Sequence, residues 1–229
     1  MKNKFKNPIK IGVTGGIGTG KTTVCTIFKN IGIPIFNADE QSKILLKKNE
    51  NVISKIIKVF GDNILDKKKI DTKKLGRIVF TNKQKLIELN NILHPRVIEK
   101  FDNWLLEQDS KYIIKESALL FESNTYKNLD KIILIQSPLK LRIKRVCARD
   151  NRTKKEVSKI IKNQLKQSEY IKLVDYVITN NEKTLITPQV MAIHKQLSEL
   201  YFAIGKYYED INDYENAYKN YLKGNKINK

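Results

Sequence analysis

Cysteine is nearly absent from this 229-residue chain: Cys25 and Cys147 stand far apart and form no C-x-x-C pair. That scarcity excludes a disulfide framework and a cysteine-built zinc site, and it predicts a reduced, cytoplasmic setting. Long apolar runs are missing too. No stretch approaches the roughly 20 apolar residues of a membrane span. The short apolar segment after the basic Met1-Lys2-Asn3-Lys4-Phe5-Lys6 gives way to glycines too soon for a signal sequence. No membrane partner is expected. Arginine is scarce as well. Arg77, Arg96, Arg142, Arg145, Arg149 and Arg152 are the only six, and lysine carries nearly all of a formal net charge of +20. Clustered positive charge would favour polyanions, but the lysines run through segments with no motif. The excess therefore reads as compositional bias, and a nucleic-acid partner is not expected.

Against that background one stretch stands out. Gly15-Gly16-Ile17-Gly18-Thr19-Gly20-Lys21-Thr22 fits the phosphate-cradling pattern G-x-x-x-x-G-K-[ST] at every fixed position. A short apolar run, Ile9-Lys10-Ile11-Gly12-Val13, precedes it, and Thr23-Val24-Cys25-Thr26-Ile27-Phe28 opens a helical pattern after it. Nucleoside triphosphates carry several negative charges, so their loop must offer many backbone N–H donors at close range, and glycines clear the way. The helix beginning near Lys21 would point its unpaired N–H groups at the phosphates. Lys21 adds a mobile cation for the outer phosphates, and the Thr22 hydroxyl suits a Mg²⁺ ion.

Strand-like runs recur at 9–13, 33–36, 111–114, 131–135 and 176–178, with helical spacing between them. This alternation predicts an α/β fold with a parallel sheet covered on both faces. Ligands of such sheets bind at the carboxyl ends of the strands. A largely helical insertion, 41–109, is long enough to cap a substrate.

Several residues fall at those strand ends. Asp39 follows the strand Ile33-Pro34-Ile35-Phe36, placed either to orient a hydroxyl nucleophile and take its proton or to cap the next helix. His94-Pro95 lies between two helical patterns, where histidine either caps or binds. Glu122 comes after the strand Tyr112-Ile113-Ile114-Lys115 and is either a ligand for substrate or a solvated loop acid. Arg142, Arg145 and Arg149 are three and four apart, on one helical face. They would either stabilise a transferring phosphoryl group or form a solvated basic face.

Taken together, Thr14 through Thr23, Asn37-Ala38-Asp39, His94-Pro95, Leu119-Leu120-Phe121-Glu122, Arg145 with Arg149-Asp150, and Asp175-Tyr176-Val177-Ile178 with Asn180 resemble dephospho-CoA kinase in order and spacing from residue 9 to about 185. The resemblance implies a three-layer P-loop fold with a lid near 140–170, and transfer of the ATP γ-phosphate to the ribose 3′-hydroxyl of dephospho-CoA. It implies catalytic roles for Lys21, Asp39 and Arg145, and ATP contacts from Gly15, Gly16, Ile17, Gly18, Thr19, Gly20, Lys21, Thr22, Thr23, Arg149 and Asn180. Thr14, Asp39, His94, Leu119 and Glu122 match acceptor positions, and Thr22 the Mg²⁺ position. Two departures accompany it: the family usually carries an acid where Asn37 stands and proline where Ala118 stands. Another small-molecule or nucleotide kinase, or a divergent kinase fold kept for interaction, are the alternatives.

Beyond Thr187-Pro188 the composition changes. Six of the ten tyrosines lie there, with six lysines against five acids. The expected division is a kinase domain, 1–186, and a helical hairpin, 187–229. Tyr201, Ile204, Gly205, Tyr208, Ala217, Tyr221 and Gly224 resemble one tetratricopeptide repeat. One such unit cannot bury its own apolar face, so it is expected to dock on the kinase, to dock on a second chain (a protein partner or a second copy), or to remain partly open, with a generic hairpin covering the kinase core as the plain alternative.

Overall fold

The computed structural model describes residues 8–79 and 81–227; the basic stretch Met1–Lys6 lies outside them. Contacts divide the chain into two compact units, Met1–Asn181 and Glu182–Lys229.

The first unit is built on five parallel strands, β1 (Ile9–Thr14), β2 (Ile35–Asn37), β5 (Tyr112–Glu116), β6 (Lys131–Gln136) and β7 (Tyr176–Thr179). Their order across the sheet is β2-β5-β1-β6-β7. Helices cover both faces of such a sheet, so its strands are apolar in continuous runs instead of alternating. Accordingly Ile11, Val13, Ile113, Ile114, Ile133, Leu134 and Ile135 are all fully buried. Each contributes about 1.5–3 kcal/mol of burial relative to exposure.

The loop after β1 leads directly into α1 (Lys21–Asn30), whose Phe28 packs edge-on against Tyr112 of β5. The insertion between β2 and β5 holds α2 (Ala38–Lys48), α3 (Glu50–Phe60), α4 (Thr72–Val79) and α5 (Lys83–Leu106). Asn37, Asn49 and Asn82 cap α2, α3 and α5 by accepting the N–H groups of Glu40, Val52 and Lys85. A small hairpin, β3 (Leu65–Asp66) and β4 (Lys69–Ile70), also lies in this insertion. Its turn residues Lys67 and Lys68 have φ of 46° and 64°. Lysine at both positions hides the glycine or asparagine signal that announces such turns.

The expected break at His94-Pro95 does not occur: α5 runs through it unbroken, with Pro95 inside. Leu89, Leu93, Val97 and Phe101 recur every fourth residue and are all buried. Phe101 and Trp104 hold Phe36 of β2 at ring distances of 5.1 and 5.4 Å. Packing of that stripe outweighs the local cost of an interior proline, about 3 kcal/mol. After β6 come α6 (Leu139–Asp150), α7 (Lys154–Asn163) and the short α8 (Gln167–Tyr170), with α7 closed by a capping box of Thr153 and Glu156.

The second unit consists of α9 (Ile186–Asp210) and α10 (Tyr214–Ile227), which pack on each other as a hairpin. The Tyr221 hydroxyl donates to Glu209 at 2.6 Å across it, and Ala217 is buried. The repeat-pattern positions Tyr201, Ile204, Gly205, Tyr208 and Gly224 lie in helical backbone, and their side-chain environments are outside the described set. Among the described residues, no helix is long and apolar enough to cross a membrane.

Candidate active site

The carboxyl ends of β1, β2 and β5 meet because β5 lies between the other two. In the paired register Glu116 stands opposite both Val13 and Asn37. From β1 the chain enters the glycine loop. Gly20 ends it as the residue preceding α1, at φ 94°, and no side chain caps the helix. The first N–H groups of α1 therefore face the loop, the arrangement that suits an oxyanion. Gly18, at φ 78°, has no room for a methyl group: a Cβ would sit 2.6 Å from the Arg142 carbonyl oxygen. At Gly20 a Cβ would collide with the Asn180 amide.

Lys21 donates to the Gly15 carbonyl at 2.8 Å. Burial pushes its ammonium below the usual lysine range, opposed by the carboxylates of Asp39 and Glu116. Thr22 donates to Glu116 Oε1 at 3.0 Å, and the Asn37 amide donates to Glu116 Oε2 at 2.8 Å. Glu116 is 4% exposed. Burial raises its carboxyl above the usual range, opposed by the Thr22 hydroxyl and then by Lys21. A strand-end acid beside the loop threonine matches the two protein oxygens that P-loop enzymes offer to Mg²⁺. Among the described residues no cluster of three His, Cys, Asp or Glu could hold a metal. The hard oxygen pair of Thr22 and Glu116 nonetheless fits an ion that takes most of its ligands from phosphates and water.

Asp39, in the first turn of α2, is not the cap of that helix; Asn37 is. Its Oδ1 lies 3.5 Å from the Ala118 N–H. Asp39, His94 and Leu119 line one cavity of about 60 Å³ together with Ser42, Asn90, Lys115, Ser117, Ser123 and Thr125. His94 is held below its usual value by burial first and by Lys115 second. Thr14 and Glu122 line a second, larger cleft of about 370 Å³ with Gly16, Phe121, Arg142, Gln164 and Tyr170. Glu122 is raised by burial, while the Leu165 N–H donates to it at 3.4 Å.

Two of the three helical arginines reach the loop. Arg142 donates to the Ile17 carbonyl at 2.9 Å and to Gln164 at 3.3 Å, and Gln164 accepts the Ile17 N–H at 3.0 Å. Arg145 reaches Ser137 and Asn180, each at 3.1 Å, and Asn180 donates to the Thr19 carbonyl at 2.9 Å. Thr19 is buried, its hydroxyl donating to the Gly16 carbonyl at 2.9 Å. Arg149 instead holds its neighbour Asp150 through two bonds, at 2.7 and 2.9 Å. Thr23 is exposed in the first turn of α1.

The sequence pattern of the dephospho-CoA kinase family matches residues 9–185, the strand, loop and arginine-bearing helices just described. The chain belongs to the dephospho-CoA kinase family. A dephospho-CoA kinase of Fusobacterium nucleatum is 42% identical over 172 residues, 75% of this chain and 89% of that one. The solved dephospho-CoA kinase of Campylobacter jejuni is 31% identical with a TM-score of 0.59, covering 83% of this chain and 97% of its own. A solved structure from Thermus thermophilus, 28% identical, gives a TM-score of 0.72 over 85% of this chain and 99% of its own.

Against this kinase frame, three side chains escaped sequence reading. Glu116 ends an apolar run in an acid beside the loop strand, a signal that was present but one residue beyond the strand as read. Gln164 and Lys115 carry no local signal. Gln164 acts on a loop 147 residues away, and Lys115 is a buried lysine whose ammonium lies 4.5 Å from the Phe101 ring.

Proposed function

We propose that this chain transfers the γ-phosphate of ATP to the ribose 3′-hydroxyl of dephospho-CoA, giving ADP and coenzyme A in the cytoplasm. The observation that carries this reading is the convergence of Lys21, Thr22 and Glu116 at the end of β1 with Asp39 across β5, within a family of dephospho-CoA kinases. Gly15 to Thr23 wrap the phosphates with backbone N–H groups, and Lys21 carries the charge of the outer ones. Thr22 and Glu116 would hold Mg²⁺, which when bound neutralises charge developing on the phosphates. Asp39 orients the acceptor hydroxyl and takes its proton, and the carboxylates of Glu116 and Asp39 oppose the effect of burial on Lys21. Arg142 and Arg145 fasten the glycine loop and face the moving oxygens, and Arg149 and Asn180 contact the nucleotide. Thr14, His94, Leu119 and Glu122 form walls of the acceptor site. With α6 to α8 closing over the loop, water is kept from the γ-phosphate and hydrolysis is suppressed.

Residues 1–186 carry this activity, with 41–109 as the substrate cap and 140–170 as the lid. Residues 187–229 form a hairpin of tetratricopeptide type, a docking element for a protein partner or a second copy. This last reading is supported by the spacing of its small and aromatic residues and by the α9–α10 pairing.

The deciding experiment is ADP release by purified protein with ATP and Mg²⁺, offering dephospho-CoA, adenosine or nucleoside monophosphates, beside Lys21→Ala. Turnover confined to dephospho-CoA and lost in Lys21→Ala upholds the proposal. Preference for a nucleoside monophosphate would assign the fold to another kinase reaction.

A further inference from the structure

Asn37 belongs to neither substrate in the reading above, yet both ends of its amide are engaged. It ends β2 and caps α2: Oδ1 accepts the Glu40 N–H at 2.8 Å, and Nδ2 donates to Glu116 Oε2 at 2.8 Å. The second oxygen of Glu116 accepts the Thr22 hydroxyl at 3.0 Å. Three side chains thus run without a gap from the first turn of α1, which carries Lys21 and Thr22, to the first turn of α2, which carries Asp39. The polarity of each link is determined. Turning the amide over would set NH₂ against the Glu40 N–H and oxygen against the Glu116 carboxylate, replacing two hydrogen bonds by two repulsions. Aspartate at this position offers acceptors only, and a serine hydroxyl is too short to serve both partners. An amide of this length supplies the acceptor and the donor together.

The geometry points to Asn37 as a positioning residue for phosphoryl transfer: it holds the Glu116 carboxylate facing Thr22 and ties that carboxylate to the helix turn bearing Asp39. The phosphate side and the acceptor side are thereby held in one alignment. This role rests on the kinase reading above. Partners that orient a group at the reacting centre are commonly worth about 10–100-fold in activity, and small misplacements cost as much.

The test uses four full-length proteins: wild type, Asn37→Ser, Glu116→Ala and the double variant. Serine keeps the N-cap and releases Glu116. Asn37→Ser is expected to lower kcat about tenfold with a near-native Tm and little change in either KM. In the Glu116→Ala background the same substitution changes kcat by less than about twofold, because the acceptor of the Asn37 amide is gone and the link is already cut. A wild-type kcat for Asn37→Ser, the result of a capping role alone, overturns the inference. An equal fold-loss in both backgrounds overturns it too. A readout independent of turnover is the side-chain NH₂ of Asn37 in ¹⁵N-labelled protein, assigned by its disappearance in Asn37→Ser. One of its protons should lie downfield and move on Glu116→Ala; signals unmoved by that change refute the link. A wild type inactive on dephospho-CoA, with an amide that does respond, sinks the acceptor assignment and upholds the link.

Discussion

The two sides of the site are assembled by different means. On the phosphate side the contacts are mostly backbone: loop glycines, the uncapped start of α1, and carbonyls of Gly15, Ile17 and Thr19 held by Lys21, Arg142 and Asn180. On the side proposed for the acceptor the wall is made of side chains from α2, α5, β5 and the segment 117–125. A surface made of backbone needs one contiguous string of residues, and tolerates little change in it because a Cβ has nowhere to go. A surface made by convergence spreads its requirements over distant positions.

If the two sides are separable, variants on one should leave the other's substrate alone. Lys21→Ala breaks the phosphate side and should lower kcat about 10³-fold, measured by coupled ADP release. Asp39→Asn should lower kcat about 10²-fold or more while ATP affinity, read by calorimetry, stays near wild type; full activity would return Asp39 to a structural role. Gly18→Ala meets both a positive φ and the Arg142 carbonyl. It should weaken ATP binding by about 1–3 kcal/mol with the acceptor KM unmoved.

His94 sharpens the comparison from the acceptor side. Its folded-state pKa is lowered, so the neutral ring is favoured in the folded protein. As pH falls through about 6.5 the unfolded chain takes up a proton that the folded one resists, and stability is lost toward acid. A Tm series should therefore fall less steeply on acidification for His94→Asn than for the wild type, since His194 is common to both. The smallest effect is expected from ending the chain after Ile211, which removes α10. Loss of kcat beyond about twofold would show that the hairpin serves the chemistry.

Legibility in the sequence followed the same division. The loop, the five strands and the position of the carboxylate at 39 could be read because each is a local string: a glycine pattern, an apolar run, an acid at a strand end. The continuity of α5 through Pro95 could not, because it depends on a packing stripe spaced four residues apart whose partners, such as Phe36, come from elsewhere. The same holds for Gln164, which meets Ile17 across 147 residues of sequence, and for the Lys67-Lys68 turn, whose positive φ is adopted without the usual residues. The three arginines shared a face as the spacing implied, but a face does not say which side chain a neighbouring acid will claim, as Asp150 claims Arg149.

The alternation of β5 carries a consequence of its own. Lys115 turns toward the small cavity and the Phe101 ring, while the next residue, Glu116, turns toward Thr22. The strand is thus a partition with opposite charge on its two sides. Side chains change sides with a period of two, so a slip of one residue in the pairing of β5 would bring a cation against Lys21 and an anion against the Phe101 ring. Composition would be unchanged by such a slip, but the polarity of the two sides would be reversed. The buried run Tyr112, Ile113 and Ile114, locked between β1 and β2, therefore does more than fill the core: it keeps the sign of each side.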